Sequence, residues 1–306
     1  VAELLQRGDR AVVVVGREEQ APHLPAAVRY VTHPPEATAE LISATLKDCD
    51  EVIDLAYATV PQTSFQNPVN DILVNVPEAV RLFELAARLP LRKFVWISSG
   101  GTVYGPAQSV PITEDHPTRP ISPYGITKLT LEKYAYLYHH MYQLPIVCVR
   151  PANAFGEGQR AYAGQGFIGT AIASLLDGRV LSLFGKEGTV RDYLHVQDMA
   201  RGIVAALVDG HPGEVYNLGS GQGYSNRQVL DVLLPLAAAQ GLQAHLQLLP
   251  ERPFDVKVNV LDSTRLATDT GWRPLTSFEE QLHQTWNWYL ANYVRLPNAP
   301  LPRPVS

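Results

Sequence analysis

Tyr124 and Lys128 stand four residues apart in Tyr124-Gly125-Ile126-Thr127-Lys128. On a helix that spacing puts both side chains on one face. An ammonium beside a phenol favours the phenolate, so the tyrosine pKa is expected to fall from about 10 towards neutrality. A phenol tuned in this way can take a proton from a sugar or alcohol hydroxyl and return it. The spacing alone is weak, because 14 tyrosines and 6 lysines in 306 residues produce such pairs by chance. The setting strengthens it. An apolar run, Phe94-Val95-Trp96-Ile97, leads through Ser98 and Ser99 into a Gly-rich turn at 100–105. Open α/β sheets bind their ligands at such carboxyl ends of strands.

The elements around this pair read as alternating strands and helices. Residues 1–7 resemble the end of an amphipathic helix closed by Gly8. The run 11–15 is β-branched throughout and predicts a strand buried on both faces. Strands follow at 28–31 and 50–55, with helices at 36–47, 70–89 and 122–142. The expected apolar stripe of the 70–89 helix is Leu82, Leu85, Ala86 and Leu89. This alternation to Arg150 is the pattern of a doubly wound parallel sheet. After Arg150 the composition turns Gly- and Pro-rich, and a second, smaller lobe is expected there. Residues 1–152 are assigned to the first domain, with 196–220 returning to it. Residues 153–195 and 221–295 form the second lobe. The tail 296–306 carries four prolines and is expected to be poorly ordered.

Bulk properties narrow the function classes. Hydrophobic content is 46 %, charged content 18 % and net charge −5, with a pI near 6.0. No basic block appears, so nucleic acid is not an expected partner. No apolar run reaches the ~18 residues needed to span a bilayer. Cys49 and Cys148 are two isolated cysteines, which fits a reducing cytoplasm rather than a disulfide framework. His33, His116, His139 and His140 show no ligand spacing, and no metal site is expected.

Four segments together resemble a known family. They are 98–105 (Ser-Ser-Gly-Gly-Thr-Val-Tyr-Gly), 123–129 (Pro-Tyr-Gly-Ile-Thr-Lys-Leu), 150–156 (Arg-Pro-Ala-Asn-Ala-Phe-Gly) and 188–196 (Gly-Thr-Val-Arg-Asp-Tyr-Leu-His-Val). As a set they resemble the extended short-chain dehydrogenase/reductases, and among these the nucleotide-sugar 4-epimerases. The resemblance runs from the first residue to about Tyr293. It implies a Rossmann-type α/β fold. In the family a first strand and a Gly-rich pyrophosphate loop come before the helix at 1–7, so the chain is expected to lack that part.

The resemblance also implies roles. Tyr124 becomes the acid/base, and Lys128 its electrostatic partner and a contact to the cofactor ribose. Leu55, Ala56 and Tyr57 lie where the family's backbone passes the cofactor. Ser98 joins that site, and Asn75 braces the active-site loop. NAD is the expected cofactor. Arg17, at the end of the second-strand position, tolerates a 2′-phosphate, while Glu18 and Glu19 repel one, so NADP stays open. Asn153 resembles an asparagine near the substrate diphosphate, and Phe184 an aromatic stacked on uracil. Arg191 and Arg252 suit a diphosphate because a guanidinium presents paired donors. Asp255 suits ribose hydroxyls.

Two positions separate reactions and substrates. Epimerases carry Ser or Thr four residues before the motif tyrosine, here Tyr104, but this chain has Gly100. Thr102 is the expected substitute, with Ser99 second. Dehydrating and decarboxylating members place carboxylates at 101 and 102, where this chain has Gly101 and Thr102. The other position is Asn259, four after Asp255, where a tyrosine in the family excludes a 2-N-acetyl group. The smaller Asn259 is expected to admit one. The expected function is therefore NAD-dependent 4-epimerisation of a UDP-hexose or UDP-N-acetylhexosamine by a homodimer. A nucleotide-sugar ketoreductase is the alternative, and a non-catalytic dinucleotide-binding scaffold a second.

Overall fold

The computed structural model describes residues 1–21, 23–33, 39–251 and 256–294. Its first third holds helix α1 (Ala2–Arg7), strands β1 (Val13–Gly16) and β2 (Arg29–Thr32), helix α2 (Ala39–Leu46) and strand β3 (Glu51–Asp54). Helices α3 (Pro61–Gln66) and α4 (Pro68–Ala86), strand β4 (Lys93–Ile97), helix α5 (Pro123–Tyr142) and strands β5 (Ile146–Pro151) and β6 (Asn153–Phe155) follow. Next come α6 (Phe167–Asp177), β7 (Val180–Phe184), β8 (Val190–His195), α7 (Val196–Val208), β9 (Val215–Leu218) and β10 (Gly223–Ser225). The described chain closes with α8 (Asn226–Ala239), β11 (His245–Leu249), β12 (Val258–Asn259), α9 (Thr264–Thr270) and α10 (Phe278–Asn292).

The central sheet is parallel, in the order β3-β4-β5-β9. Its middle strands are apolar on both faces, as helices on both sides require. Phe94 and Trp96 of β4 point to one face, where they pack with Ile146 and Cys148 of β5. Ala79, Phe83 and Ala86 of α4 and Leu131 and Ala135 of α5 cover that face. Val95, Val147 and Val149 point to the other, against Ala206 and Leu207 of α7 and Leu266 of α9. Each large apolar side chain buried in this way stabilises the fold by roughly 1.5–3 kcal/mol before entropy is counted. β9 lies on the far edge beside β5, so the chain after β8 returns to this sheet.

Strands β1 and β2 form a separate parallel pair. The sequence predicted a strand buried on both faces there. Instead β1 is only partly buried, and Val15 is 47 % exposed. The β-branched run therefore reports strand propensity, not depth, because β1 has β2 as its one partner among the described residues.

A further core gathers α6, α8 and α10 around β7 and β8, through Ile168, Ile172, Leu183, Tyr193, Leu230, Leu233, Leu282 and Trp286. β8 is the hub of this region: β6, β10 and β12 all pair with it. The proline-rich tail 296–306 lies outside the described residues.

Candidate active site

The carboxyl end of β4 and the first turns of α5 meet at Tyr124 and Lys128. Helix α5 starts where Ser122 accepts the backbone N–H of Gly125 at 3.1 Å, with Pro123 in the first turn. Gly125 is required by close approach. A Cβ there would lie 2.7 Å from the Thr102 carbonyl oxygen, so only glycine lets α5 press on the 100–105 turn. The first turn is also held from α3: Tyr124 donates its backbone N–H to the Ser64 hydroxyl at 3.1 Å.

Lys128 is buried. Its Nζ donates to the Ile97 carbonyl at 2.8 Å and lies 3.7 Å above the Tyr57 ring, a cation–π contact. The Tyr57 ring in turn meets the Tyr124 ring edge-on at 5.1 Å. Lys128 Nζ is 5.8 Å from the Tyr124 ring centre. Burial draws the Lys128 ammonium down to about 8, and the carboxylates of Asp54, Glu132 and Asp71 oppose that fall.

The expected fall of the Tyr124 pKa does not occur in this structure. Burial, reinforced by the Asp71 carboxylate, pushes the phenol well up. The reason is desolvation: the phenolate would lose its hydration, and the ammonium is too far from the hydroxyl's ring to offset that loss. Tyr124 is thus a protonated acid at neutral pH, beside a lysine that keeps most of its charge.

Gly100 has a steric explanation. A Cβ at Gly100 would lie 2.4 Å from Leu261 and 2.9 Å from the Arg150 carbonyl oxygen. No serine or threonine fits there. Thr102, two residues on, has a buried hydroxyl with no hydrogen-bond partner. An unpartnered buried hydroxyl is costly unless a ligand satisfies it. Ser99 is partly buried, and only its backbone carbonyl is engaged, by Thr102 and Val103. The Ser98 hydroxyl is committed to Glu132 at 2.5 Å in the core. Glu132 is itself forked by Arg150 at 2.8 and 2.6 Å, and Arg150 also donates to the Tyr104 hydroxyl at 2.7 Å.

Asn75 is a buried brace. Its Oδ1 accepts the Ala58 N–H at 2.9 Å and its Nδ2 donates to Thr59 Oγ1 at 3.1 Å and to the Asp71 carbonyl at 2.8 Å. Leu55 and Ala56 are exposed at the end of β3, with Ala56 N–H bonded to Asp54 at 2.9 Å. Arg17 is exposed just past β1. The groups at these strand ends suit a polyhydroxyl ligand such as a ribose. Lys128 has two N–H donors beyond its bond to Ile97, and the buried Tyr57 hydroxyl has no partner.

The substrate candidates divide. Asn153 opens β6, and its Oδ1 would lie 3.6 Å from a Cβ on Gly101, so it borders the same turn as Thr102. Asn259 also reaches that turn. It is 1 % exposed, its Nδ2 donates to the Gly100 carbonyl at 3.1 Å, and its Oδ1 is buried without a partner. Asn259 pairs in register with Arg191 of β8. Phe184 ends β7 on a different pair of strands, beside Leu249 of β11. Arg252 and Asp255 lie outside the described residues.

Sequence reasoning missed Asp71. It is fully buried, and its carboxylate accepts the Thr127 hydroxyl at 2.6 Å and the Thr59 hydroxyl. The signal was present: Asp71 and Asn75 are four apart, so they share a helix face with Ala79 and Phe83. The buried stripe of α4 is Asp71, Asn75, Ala79, Phe83 and Ala86; of the expected stripe Ala86 belongs to it, and Leu82 and Leu89 pack only partly buried against the same core.

Comparison with known proteins identifies the family and the fold. The NAD dependent epimerase/dehydratase family matches residues 1–219. A UDP-glucose 4-epimerase of Mycolicibacterium smegmatis is 32 % identical over 261 residues, 82 % of each chain. A dTDP-glucose 4,6-dehydratase of Streptomyces griseus is 31 % identical over 240 residues, 78 % of this chain and 71 % of its own. The solved UDP-glucose 4-epimerase of Thermus thermophilus, in complex with NAD, superposes with a TM-score of 0.85 at 28 % identity, covering 94 % of each chain. With its parallel sheet, its Tyr124–Lys128 pair and these relatives, the chain belongs to the NAD dependent epimerase/dehydratase family, as an extended short-chain dehydrogenase/reductase.

Proposed function

We propose that this protein is a UDP-sugar 4-epimerase that uses NAD and inverts C4 through a 4-keto sugar. The observation that carries this reading is the composition of the 98–105 turn. Tyr124 and the unpartnered hydroxyl of Thr102 stand at that turn, and no carboxylate occurs in it. Dehydration would need a second proton-transfer group there to expel a neighbouring hydroxyl, and the turn offers none. Epimerisation needs one group that takes and returns a single proton at O4.

NAD, when bound, supplies the hydride acceptor and donor at C4. The chain's own residues do the rest. Tyr124 exchanges the O4 proton, and its raised pKa suits the half of the cycle in which the ketone oxygen is protonated. Thr102 holds the same oxygen by a hydrogen bond. Lys128 binds ribose hydroxyls and keeps a positive charge on the tyrosine's helix face. The relatives named above act on UDP-glucose or dTDP-glucose by their names, and a UDP-sugar is the substrate class we infer here. Asn259, small and with a free Oδ1, supports acceptance of a 2-N-acetyl group. Residues 1–152 with 196–220 would form the cofactor lobe, and the remainder up to 295 the substrate lobe. A homodimer through α4 and α5 completes the reading.

The test is incubation of purified protein with UDP-glucose and no added cofactor. UDP-galactose should form, and Tyr124→Phe should remove most of the turnover while the fold stays intact. A requirement for stoichiometric NADH or NADPH would instead identify a ketoreductase. Release of a 4-keto-6-deoxy sugar would identify a dehydratase.

A further inference from the structure

Asp71 has no role in the chemistry above, yet it is the most enclosed carboxylate near it. It is fully buried, and no ion pair to it occurs among the described residues. Its partners are two hydroxyls: Thr59 of the 57–60 segment and Thr127 of α5, the latter at 2.6 Å. Thr127 lies between Tyr124 and Lys128 in sequence, so one carboxylate fastens the turn that carries both. Asn75 closes the network by bonding Thr59, Ala58 and the Asp71 carbonyl. A buried charge without a cation is costly, and a chain that needed only a spacer could place an apolar residue there.

We propose that Asp71 is a positioning residue: its carboxylate, bonded to Thr59 and Thr127, ties the 57–60 segment to the catalytic turn of α5 that carries Tyr124 and Lys128. This rests on Tyr124 and Lys128 being the reacting pair. The charged and titratable groups facing them are Asp54 from β3, Tyr57 from the following segment, Asp71 from α4 and Glu132 from α5. Glu132 is paired with Arg150, and Asp54 is itself pushed towards its neutral form by burial. Asp54 and Glu132 act on Lys128 more strongly, but Asp71 is the carboxylate that acts on both members of the pair. It favours ammonium over amine on Lys128 and phenol over phenolate on Tyr124. Without these carboxylates a ligand-binding lysine in a dry site would lose its proton near neutrality.

The six lysines make this measurable. In protein labelled with 13C-lysine, the Lys128 signal is the one missing from Lys128→Met. Its titration midpoint, near 8 in the wild type, should fall in Asp71→Asn, with Asp54 and Glu132 limiting the fall. The asparagine keeps the volume and can accept from one hydroxyl and donate to the other. Should Asp71→Asn fail to fold, Thr127→Val decides. Without that hydrogen bond the carboxylate is no longer held at the turn, so the Lys128 midpoint should move the same way by less. In folded variants, kcat should fall with little change in KM. An unmoved Lys128 midpoint overturns the proposal, whatever the activity. Because the titration needs no substrate, a wild type inactive on UDP-sugars would sink the proposed function and leave this measurement standing.

Discussion

Thr102 and Ser99 compete for one duty, and their surroundings separate them. The Thr102 hydroxyl is buried and unpartnered, whereas Ser99 engages the turn through its carbonyl. Thr102→Val keeps the shape and removes the hydroxyl. Its kcat should fall on the order of 10–1000-fold, the range for losing one hydrogen bond to a reacting oxygen. Ser99→Ala should cost less, and steady-state kinetics on both variants would show the reverse order if the assignment is wrong. Asn259 makes a residue-scale prediction about specificity. Its side chain borders the Gly100 carbonyl in a closed space, so bulk added there excludes by overlap. The wild type should epimerise UDP-N-acetylglucosamine as well as UDP-glucose. Asn259→Tyr should abolish the first activity and spare the second. A wild type that rejects the N-acetyl sugar places the gate elsewhere.

At the scale of elements, the join between β4, α5 and β5 rests on one buried ion pair. Arg150 and Glu132 are 5 % and 3 % exposed and share a bidentate fork, with Ser98 and Tyr104 attached. Tyr104 continues the network by donating to Asn217 Oδ1 of β9 at 2.7 Å. Removing one partner strands a charge in the core, so Glu132→Ala should destabilise by about 3–5 kcal/mol in urea unfolding. Removing both charges with apolar residues of similar volume, Glu132→Leu with Arg150→Met, should recover much of that. An additive loss would show that the pair itself, not the stranded charge, carries the stability. These elements also show what a sequence displays. Helix α5 was legible because Ser122, Pro123 and the Tyr124–Lys128 spacing mark its start. Helix α6 was not read from the sequence: it is apolar almost throughout, and eight of its residues, from Ile168 to Leu176, are buried. On α4 the buried stripe is polar at its amino end, and an apolar count therefore misses Asp71 and Asn75. The pKa of Tyr124 was illegible for another reason. Spacing reports a neighbouring charge, but the depth of burial that outweighs it is a property of the assembled fold.

Among the described residues, helices α4 and α5 carry apolar side chains that the core leaves uncovered. Helices α4 and α5 pack side by side on the sheet. Their outer surfaces expose Val69, Ile72 and Leu73 of α4 and Ile126, Leu137 and Met141 of α5, with Phe65 of α3 beside them. Leu73 is 64 % and Met141 61 % exposed. Exposed apolar side chains gathered on two adjacent helices are the kind of surface that marks an interaction site. Two adjacent helices related to their copies by a two-fold axis make a four-helix bundle, a self-complementary contact that closes on itself. Sedimentation velocity at micromolar concentration should therefore show a dimer. Leu73→Glu with Leu137→Glu places charges on both helices of that face, outside the catalytic groups, and should give a monomer with unchanged circular dichroism. Helix α5 carries Ile126 on the outer face and Tyr124 and Lys128 on the inner one, so the contact and the chemistry share one rigid rod. Dissociation should loosen that rod, and the rate per protomer should fall on dilution below the dimer dissociation constant. A wild-type monomer would refute the dimer, and a charged monomeric variant with a full rate per site would show that α5 is held from the core alone.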